Sequence, residues 1–262
     1  MKAGLEFYKY SGTGNDFVII DNRKKVLKNI FKFAIKVCDR KNGVGADGLL
    51  LIENSKVADF KMRIINSDGS EAEMCGNGAR CIAHFTFFKK IASKNMNFET
   101  KAGIIDAYVK GSYVKVKLTK PHSFRQGIRI KYKDKDYELF FINTGVPHAV
   151  IFVDNLENIP VEELGRYIRY HDEFKPAGTN VNFVKIINEK EIAIRTYERG
   201  VEAETLSCGT GSTASAIISS FVRNMQEPII VRTKGGEKLK VYLSPVYLEG
   251  KVKQIFKGEL LI

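Results

Sequence analysis

The sequence predicts a mixed α+β, strand-rich protein in two lobes. Three observations predict it: a set of motifs that recurs at one spacing, a long apolar helical stretch in each half, and short apolar runs bounded by turns. Gly12 and Gly145, Asp21 and Asp154, Gly45 and Gly178, and Cys75 and Cys208 are each separated by 133 residues, about half of the 262-residue chain. Only the Glu-Ala-Glu triplets beginning at Glu71 and Glu202 slip, to 131. Anchors held at one offset over so much chain indicate two copies of one domain.

The elements follow in order. Phe17 to Asp21 and Ala149 to Asp154 are apolar runs short enough for buried strands, and Phe60 to Ile65 and Glu191 to Tyr197 have the same character. After Cys75, the stretch from Ala79 to Ala92 carries neither Gly nor Pro and is mostly apolar, which suits a buried helix; Ser212 to Arg223 after Cys208 is small and apolar throughout. Ile104 to Leu118, broken at Gly111-Ser112, and Pro228 to Leu243, broken at Gly235-Gly236, have hairpin character. Each half thus reads as strands, one helix, then more strands, and Lys120-Pro121 marks the expected crossover.

Composition excludes several classes. Hydrophobic residues make up 44% and charged residues 27%, ordinary globular usage. Apolar runs such as Leu49 to Ile52 fall far short of the roughly 18 residues of a spanning helix. Met1 to Tyr10 interleaves Lys2, Glu6 and Lys9 with apolar residues, unlike a secretory signal, so a cytoplasmic location without membrane contact is expected. The net charge of +12 is scattered in short or sign-alternating runs, as on solvated faces, so no nucleic-acid partner is expected. Four cysteines do not make a disulfide framework, no Cys-x-x-Cys occurs, and His84, His122, His148 and His171 lack ligand spacing; neither a metal nor thiol redox chemistry is expected.

The chemistry turns on two of the cysteines. Cys38 follows the apolar spacing of Phe31 and Ile35, and Cys81 lies inside the apolar helix; both read as packing residues. Cys75 and Cys208 instead stand in the turn feeding each long helix, before Gly-Asn-Gly and Gly-Thr-Gly. A helix N-terminus presents unpaired N–H groups and the positive end of the dipole, which favours a thiolate and makes a site for a carboxylate or phosphate. Two such lobes related by an approximate twofold axis would set a thiol on each side of one cleft. Inverting a stereocentre through a carbanion requires that arrangement, with a base on one face of Cα and an acid on the other.

The stretches Tyr10 to Phe17, Gly45-Ala-Asp-Gly48, Asn66 to Cys81, Pro147-His148, Asn180-Val-Asn-Phe183 and Glu198-Arg-Gly200 through Cys208-Gly-Thr-Gly211 together resemble the diaminopimelate epimerases. The resemblance spans nearly the whole chain, and its most specific element is the block from Asp68-Gly-Ser to Cys75-Gly-Asn-Gly-Ala-Arg80. It implies cofactor-independent interconversion of LL- and meso-diaminopimelate for lysine and peptidoglycan precursor synthesis, usually by a homodimer. It also implies two lobes, each an antiparallel-rich sheet curved around a central helix, with the last strand returning to the first lobe. The lobes are then residues 1–119 with 251–262, and residues 120–250.

Carried over residue by residue, Cys75 and Cys208 are the acid/base pair, with His148 and Glu198 supporting their protonation states. Gly76, Asn77, Gly209 and Thr210 donate to the reacting carboxylate. Asn15, Asn66, Asn180, Glu198 and Arg199 hold the substrate, Arg199 at a distal carboxylate. Val146 and Gly48 stand where many members carry Asn and Gln, and the segment from Glu198 to Cys208 is one residue longer than the common form. Two alternatives remain: a proline or hydroxyproline racemase of the same fold, in which the first cysteine usually precedes Gly-His-Gly rather than Gly-Asn77-Gly, and a noncatalytic amino-acid-binding protein.

Overall fold

The computed structural model describes residues 4–261. The chain forms two compact units: residues up to Lys117 together with those from Glu249 onward, and Leu118–Leu248.

The first unit contains β1 (Leu5–Gly12), β2 (Asn15–Asp21), α1 (Ile30–Cys38), β3 (Gly48–Glu53), β4 (Phe60–Asn66), β5 (Glu71–Ala72), α2 (Gly76–Phe88), β6 (Asn95–Thr100), β7 (Gly103–Lys110) and β8 (Tyr113–Lys117). The second contains β9 (His122–Tyr132), β10 (Lys135–Asn143), β11 (Pro147–Phe152), α3 (Val161–Arg169), a 3-10 turn at Asp172–Phe174, β12 (Asn180–Asn188), β13 (Glu191–Glu198), β14 (Ala203–Thr205), α4 (Gly209–Arg223), β15 (Ile229–Arg232) and β16 (Lys238–Leu243). Strand β17 (Val246–Leu260) starts in the second unit and continues into the first.

In the first unit the pairings run β1–β2–β3–β4–β6–β7–β8–β17 and return to β1, a closed ring of eight strands. Most are antiparallel; β2 with β3 and β4 with β6 are parallel. Closure leaves this sheet without an unpaired edge, apart from the short flap β5 on β4. Helix α2 packs against β1, β2, β3, β4, β7 and β8 and is buried over most of its length, so it fills the ring. Helix α1 lies on the outer face of β3 and β4.

That double cover explains the continuous apolar run Leu49 to Ile52. Leu49 and Leu51 pack with Val18, Ile20 and the α1 residues Ala34, Val37 and Cys38, whereas Leu50 and Phe17 lie against Gly78 of α2. A strand covered on both faces has no reason to alternate.

The second unit repeats this plan. Strands β9, β10, β11, β12, β13, β15 and β16 pair in that order, parallel at β11 with β12 and at β13 with β15, with β14 as the flap. Helix α4 packs on the inner face of β10–β13, β15 and β16; α3 packs outside on β12 and β13, where Leu164 and Ile168 meet Val181, Phe183 and Tyr197. The repeat read from the sequence is therefore a repeat of architecture, down to the positions of the parallel pairs.

Two differences from the sequence reading stand out. Each half holds two helices rather than one, because α1 and α3 cover the outer sheet faces. Strand β11 stops at Phe152, short of Asp154. Among the described residues no helix is long and apolar enough to cross a membrane.

Candidate active site

Cys75 is the N-cap residue of α2 and Cys208 that of α4, both in extended backbone conformation. Each carbonyl accepts the first helical hydrogen bond, from Ala79 N–H and Ser212 N–H, both at 2.8 Å. Gly-x-Gly after each thiol lets the helix start close under neighbouring chain: a Cβ on Gly78 would lie 3.1 Å from Leu50, and one on Gly211 would lie 2.3 Å from Asn182 Oδ1. All four cysteines are thiols rather than half-cystines. Cys38 and Cys81 are buried, and burial pushes the Cys38 thiol up to about 11, an inert state.

Around the first thiol the polar groups form one network. Asn77 is buried; its Nδ2 donates to Asn15 Oδ1 at 2.6 Å and Thr13 O at 3.3 Å, while its Oδ1 accepts from Arg80. Arg80, fully buried, also donates to Thr13 Oγ1 at 2.8 Å. Asn15 Nδ2 donates to Asp47 Oδ2 at 3.0 Å. Arg40 bridges Asp47 and Asp16, and Lys9 pairs with Asp16 at 2.6 Å. Burial alone would raise the Asp16 carboxyl, but Arg40 and Lys9 hold it down at about 2. Asn15 and Asn77 are thus joined directly. Asn66, at the end of β4, is tied to its own turn through Ser70 Oγ at 2.9 Å.

The second thiol is almost fully buried. Cys208 Sγ accepts from Gly211 N–H and contacts Thr210 Oγ1, both at 3.4 Å. Gly211 N–H is thereby used, and the N–H groups of Gly209 and Thr210 belong to the first turn, where the helix itself offers no acceptor. Thr144 Oγ1 donates to Thr210 O at 3.0 Å and steadies that turn. Asn180 spans the start of the parallel pair, with Nδ2 donating to Pro147 O and Oδ1 accepting Arg199 N–H, both at 2.9 Å.

His148 is fully buried; desolvation, with the nearby Arg199 charge adding to it, pushes its pKa down to about 3, so the ring is neutral. Burial raises the Glu198 carboxyl while a hydrogen bond from Thr205 Oγ1 at 2.9 Å opposes the shift. Each is a perturbed titratable group of the kind that marks reactive sites. Among the described residues no three His, Cys, Asp or Glu side chains group as a metal site would require.

Several residues of these networks were given no role from the sequence: Thr13, Asp47, Arg80, Thr144 and Asn182, the last of which accepts from Thr196 Oγ1 at 3.0 Å. A signal existed for two of them. Arg80 is a charge inside an otherwise apolar helix, and Asn182 is a second Asn on one face of an apolar strand; buried groups of this kind require partners.

The family model "Diaminopimelate epimerase" matches residues 7–123 and 140–253. A diaminopimelate epimerase of Aquifex aeolicus is 46% identical over 274 residues, covering 98% of both chains. One of Hydrogenobaculum sp. is 47% identical, covering 96% of this chain and 97% of the relative. Among solved structures, a phenazine biosynthesis protein of the PhzF family from Bacillus anthracis superposes with a TM-score of 0.75 at 18% identity, covering 99% of this chain and 100% of that one. A hydroxyproline epimerase from Agrobacterium vitis superposes with a TM-score of 0.65 at 14% identity, covering 99% and 91%. These two likenesses show the fold alone. The family-model match, together with near-full-length relatives at 46 and 47% identity, establishes that the chain belongs to the diaminopimelate epimerase family.

Proposed function

We propose that the protein interconverts LL- and meso-diaminopimelate without a cofactor, using Cys75 and Cys208 as the two acid/base groups. The observation that carries this reading is the matched placement of the two thiols, each capping the helix that fills its own repeat. One sulfur, as thiolate, takes the Cα proton; the other, as thiol, delivers a proton to the opposite face; the roles exchange for the reverse substrate. Charge developing on the substrate carboxylate is met by the N–H groups of Gly76-Asn77 and Gly209-Thr210, aided by the helix dipoles.

Asn15, Asn66, Asn180, Glu198 and Arg199 hold the remainder of the substrate, with the Arg199 guanidinium assigned to the distal carboxylate and Glu198 to an ammonium group. His148 and Glu198 support the protonation states of the thiols. The same reading places the enzyme in the cytoplasm as a homodimer, the latter to be checked by sedimentation. The two lobes of the fold are assigned to residues 1–119 with 251–262 and to 120–250.

The test is LL-diaminopimelate in deuterated buffer with no cofactor added. Deuterium at one Cα with formation of the meso isomer supports the reading. Absence of exchange on diaminopimelate, alongside exchange on proline, would assign the protein to the racemases instead. Diaminopimelate should exceed proline or lysine in kcat/KM by at least ~100-fold, because a substrate without the distal carboxylate leaves a charged contact unmade, a loss of about 3 kcal/mol.

A further inference from the structure

We propose that Asn182 is a positioning residue that holds His148 as the neutral tautomer protonated on Nε2, so that His148 serves the reaction as a hydrogen-bond donor and not as a proton acceptor. The inference rests on the reading that His148 belongs to the reactive site.

The argument begins with the orientation of the Asn182 amide. Its Nδ2 lies 3.0 Å from the carbonyl oxygen of Ala149, a group that can only accept. Its Oδ1 accepts from Thr196 Oγ1 at 3.0 Å. The side chain is completely buried, so these partners leave the amide one orientation. The second Nδ2 hydrogen then points to His148 Nδ1, 3.1 Å away. An N–H donor at Nδ1 requires that nitrogen to carry a lone pair, and a neutral imidazole with a lone pair on Nδ1 has its proton on Nε2.

Register places the pair. Val150 is opposite Asn182 in the parallel pairing of β11 and β12, and His148 lies two residues earlier on the same strand, hence on the same face. Thr196 is opposite Asn182 on β13. The same residue also reaches the thiol turn: a point one carbon beyond Gly211 Cα is 2.3 Å from Asn182 Oδ1 and 3.3 Å from Cys208 Sγ. Asn182 therefore packs between the His148 ring and the turn that carries Cys208.

The other face of the ring is left unsatisfied. His148 Nε2 is buried without a hydrogen-bond partner, in a ring that is otherwise completely enclosed. A buried donor without an acceptor is costly, and such costs are retained where a ligand supplies the missing partner. Protonating the ring would set an Nδ1–H against the Asn182 Nδ2–H, two donors 3.1 Å apart. The Asn182 contact and the enclosure both oppose the imidazolium. The proton leaving Cα thus stays with the sulfurs, while Nε2–H meets the electron-rich partner formed in the reaction.

The experiment is nitrogen NMR of the whole protein labelled with 15N-histidine, with His148→Gln identifying the His148 signals. The expected spectrum shows Nε2 protonated and Nδ1 unprotonated from about pH 5 to 8, the range in which a free histidine titrates. A proton on Nδ1, an averaged pair of signals, or titration within that range would overturn the proposal, whatever the activity.

In Asn182→Asp the carboxylate can only accept, so the proton moves to Nδ1. There kcat for epimerisation falls at least ~100-fold with KM little changed, the scale seen when one donor or the right tautomer is lost. Asn182→Asp with Nε2 still protonated, or with undiminished kcat, also overturns the proposal. The wild-type spectrum decides the tautomer even if the variant fails to fold. Loss of the proposed epimerase activity would show instead in the deuterium-exchange assay, and it leaves the ring spectrum unaffected.

Discussion

Cys75 and Cys208 have the same backbone role but unlike surroundings. Cys208 is sealed under its own first turn, with Gly211 N–H on its sulfur, whereas Cys75 is half-buried beside the Asn77–Asn15–Asp47 network. A two-base reaction needs both thiols, so Cys75→Ala and Cys208→Ala should each abolish epimerisation with unchanged melting temperature, while Cys38→Ala and Cys81→Ala remain active. Turnover by either single mutant of the first pair would exclude the mechanism.

Glu198 allows a test on stability. Its folded pKa is raised by burial above the ordinary 4.5, so below 4.5 the group is protonated in both states and folding costs nothing on its account. As pH rises through 4.5 and then through the folded value, the unfolded chain ionises first and stability is lost. Glu198→Gln should therefore melt at or above the wild-type temperature at pH 7, with the gap closing towards pH 4, even as activity falls. A variant that melts lower at pH 7 and converges with wild type only at higher pH would contradict the buried-carboxylate account. The thiols, Asn77 and Asn180 were legible because each stands in a repeated or Gly-flanked motif. The roles of Asp47 and Thr144 were not, since a hydrogen bond across 30 or more residues leaves no local trace for a common polar residue.

At the scale of elements, the two inner helices depend on close approach. Gly211 has no room for a side chain: an added Cβ would stand 2.3 Å from Asn182 Oδ1. Gly211→Ala should cost about 1–3 kcal/mol by overpacking and disturb the Cys208 turn, so activity should fall more than the melting temperature implies; a fully active Gly211→Ala enzyme would show that this contact is slack. Further along α4 the opposite change is favourable. Ser215 Oγ and Ser219 Oγ are buried without hydrogen-bond partners, so Ser215→Ala and Ser219→Ala should each stabilise by about 1 kcal/mol, read as a higher denaturation midpoint. A loss of stability in both would mean that those hydroxyls are satisfied in solution.

The inner helices were legible in the sequence because burial over most of their length leaves a stretch of mostly small or apolar residues without Gly or Pro. The outer helices were not. Helix α1 leaves Phe31 and Ile35 exposed, and α3 spans nine residues from Val161 to Arg169 with charges on its outer face. Short segments of that kind give too few turns for helical periodicity to stand out beside longer apolar runs.

For the whole molecule, the repeat was legible because glycine turns and thiols recur at fixed offsets, but the return of the last strand to the first lobe came only from the family resemblance: no local feature of a strand announces its partner across 240 residues. Strand β17 supplies that closure in the first unit, with register running from Gly12↔Val252 to Leu5↔Leu260, and it also pairs with β8. Val252 is buried, so the strand contributes core as well as hydrogen bonds. Removing residues 251–262 should leave β1 held only by β2 and β8 only by β7, two open edges beside an exposed end of α2. Amide hydrogen exchange should then show protection lost first in Leu5–Gly12 and Tyr113–Lys117, with aggregation rising with concentration. Protection in β11, β12 and β13 should persist, because the second unit has its own core. If β1 and β8 stayed as protected as in the full chain, the ring would not depend on its last strand.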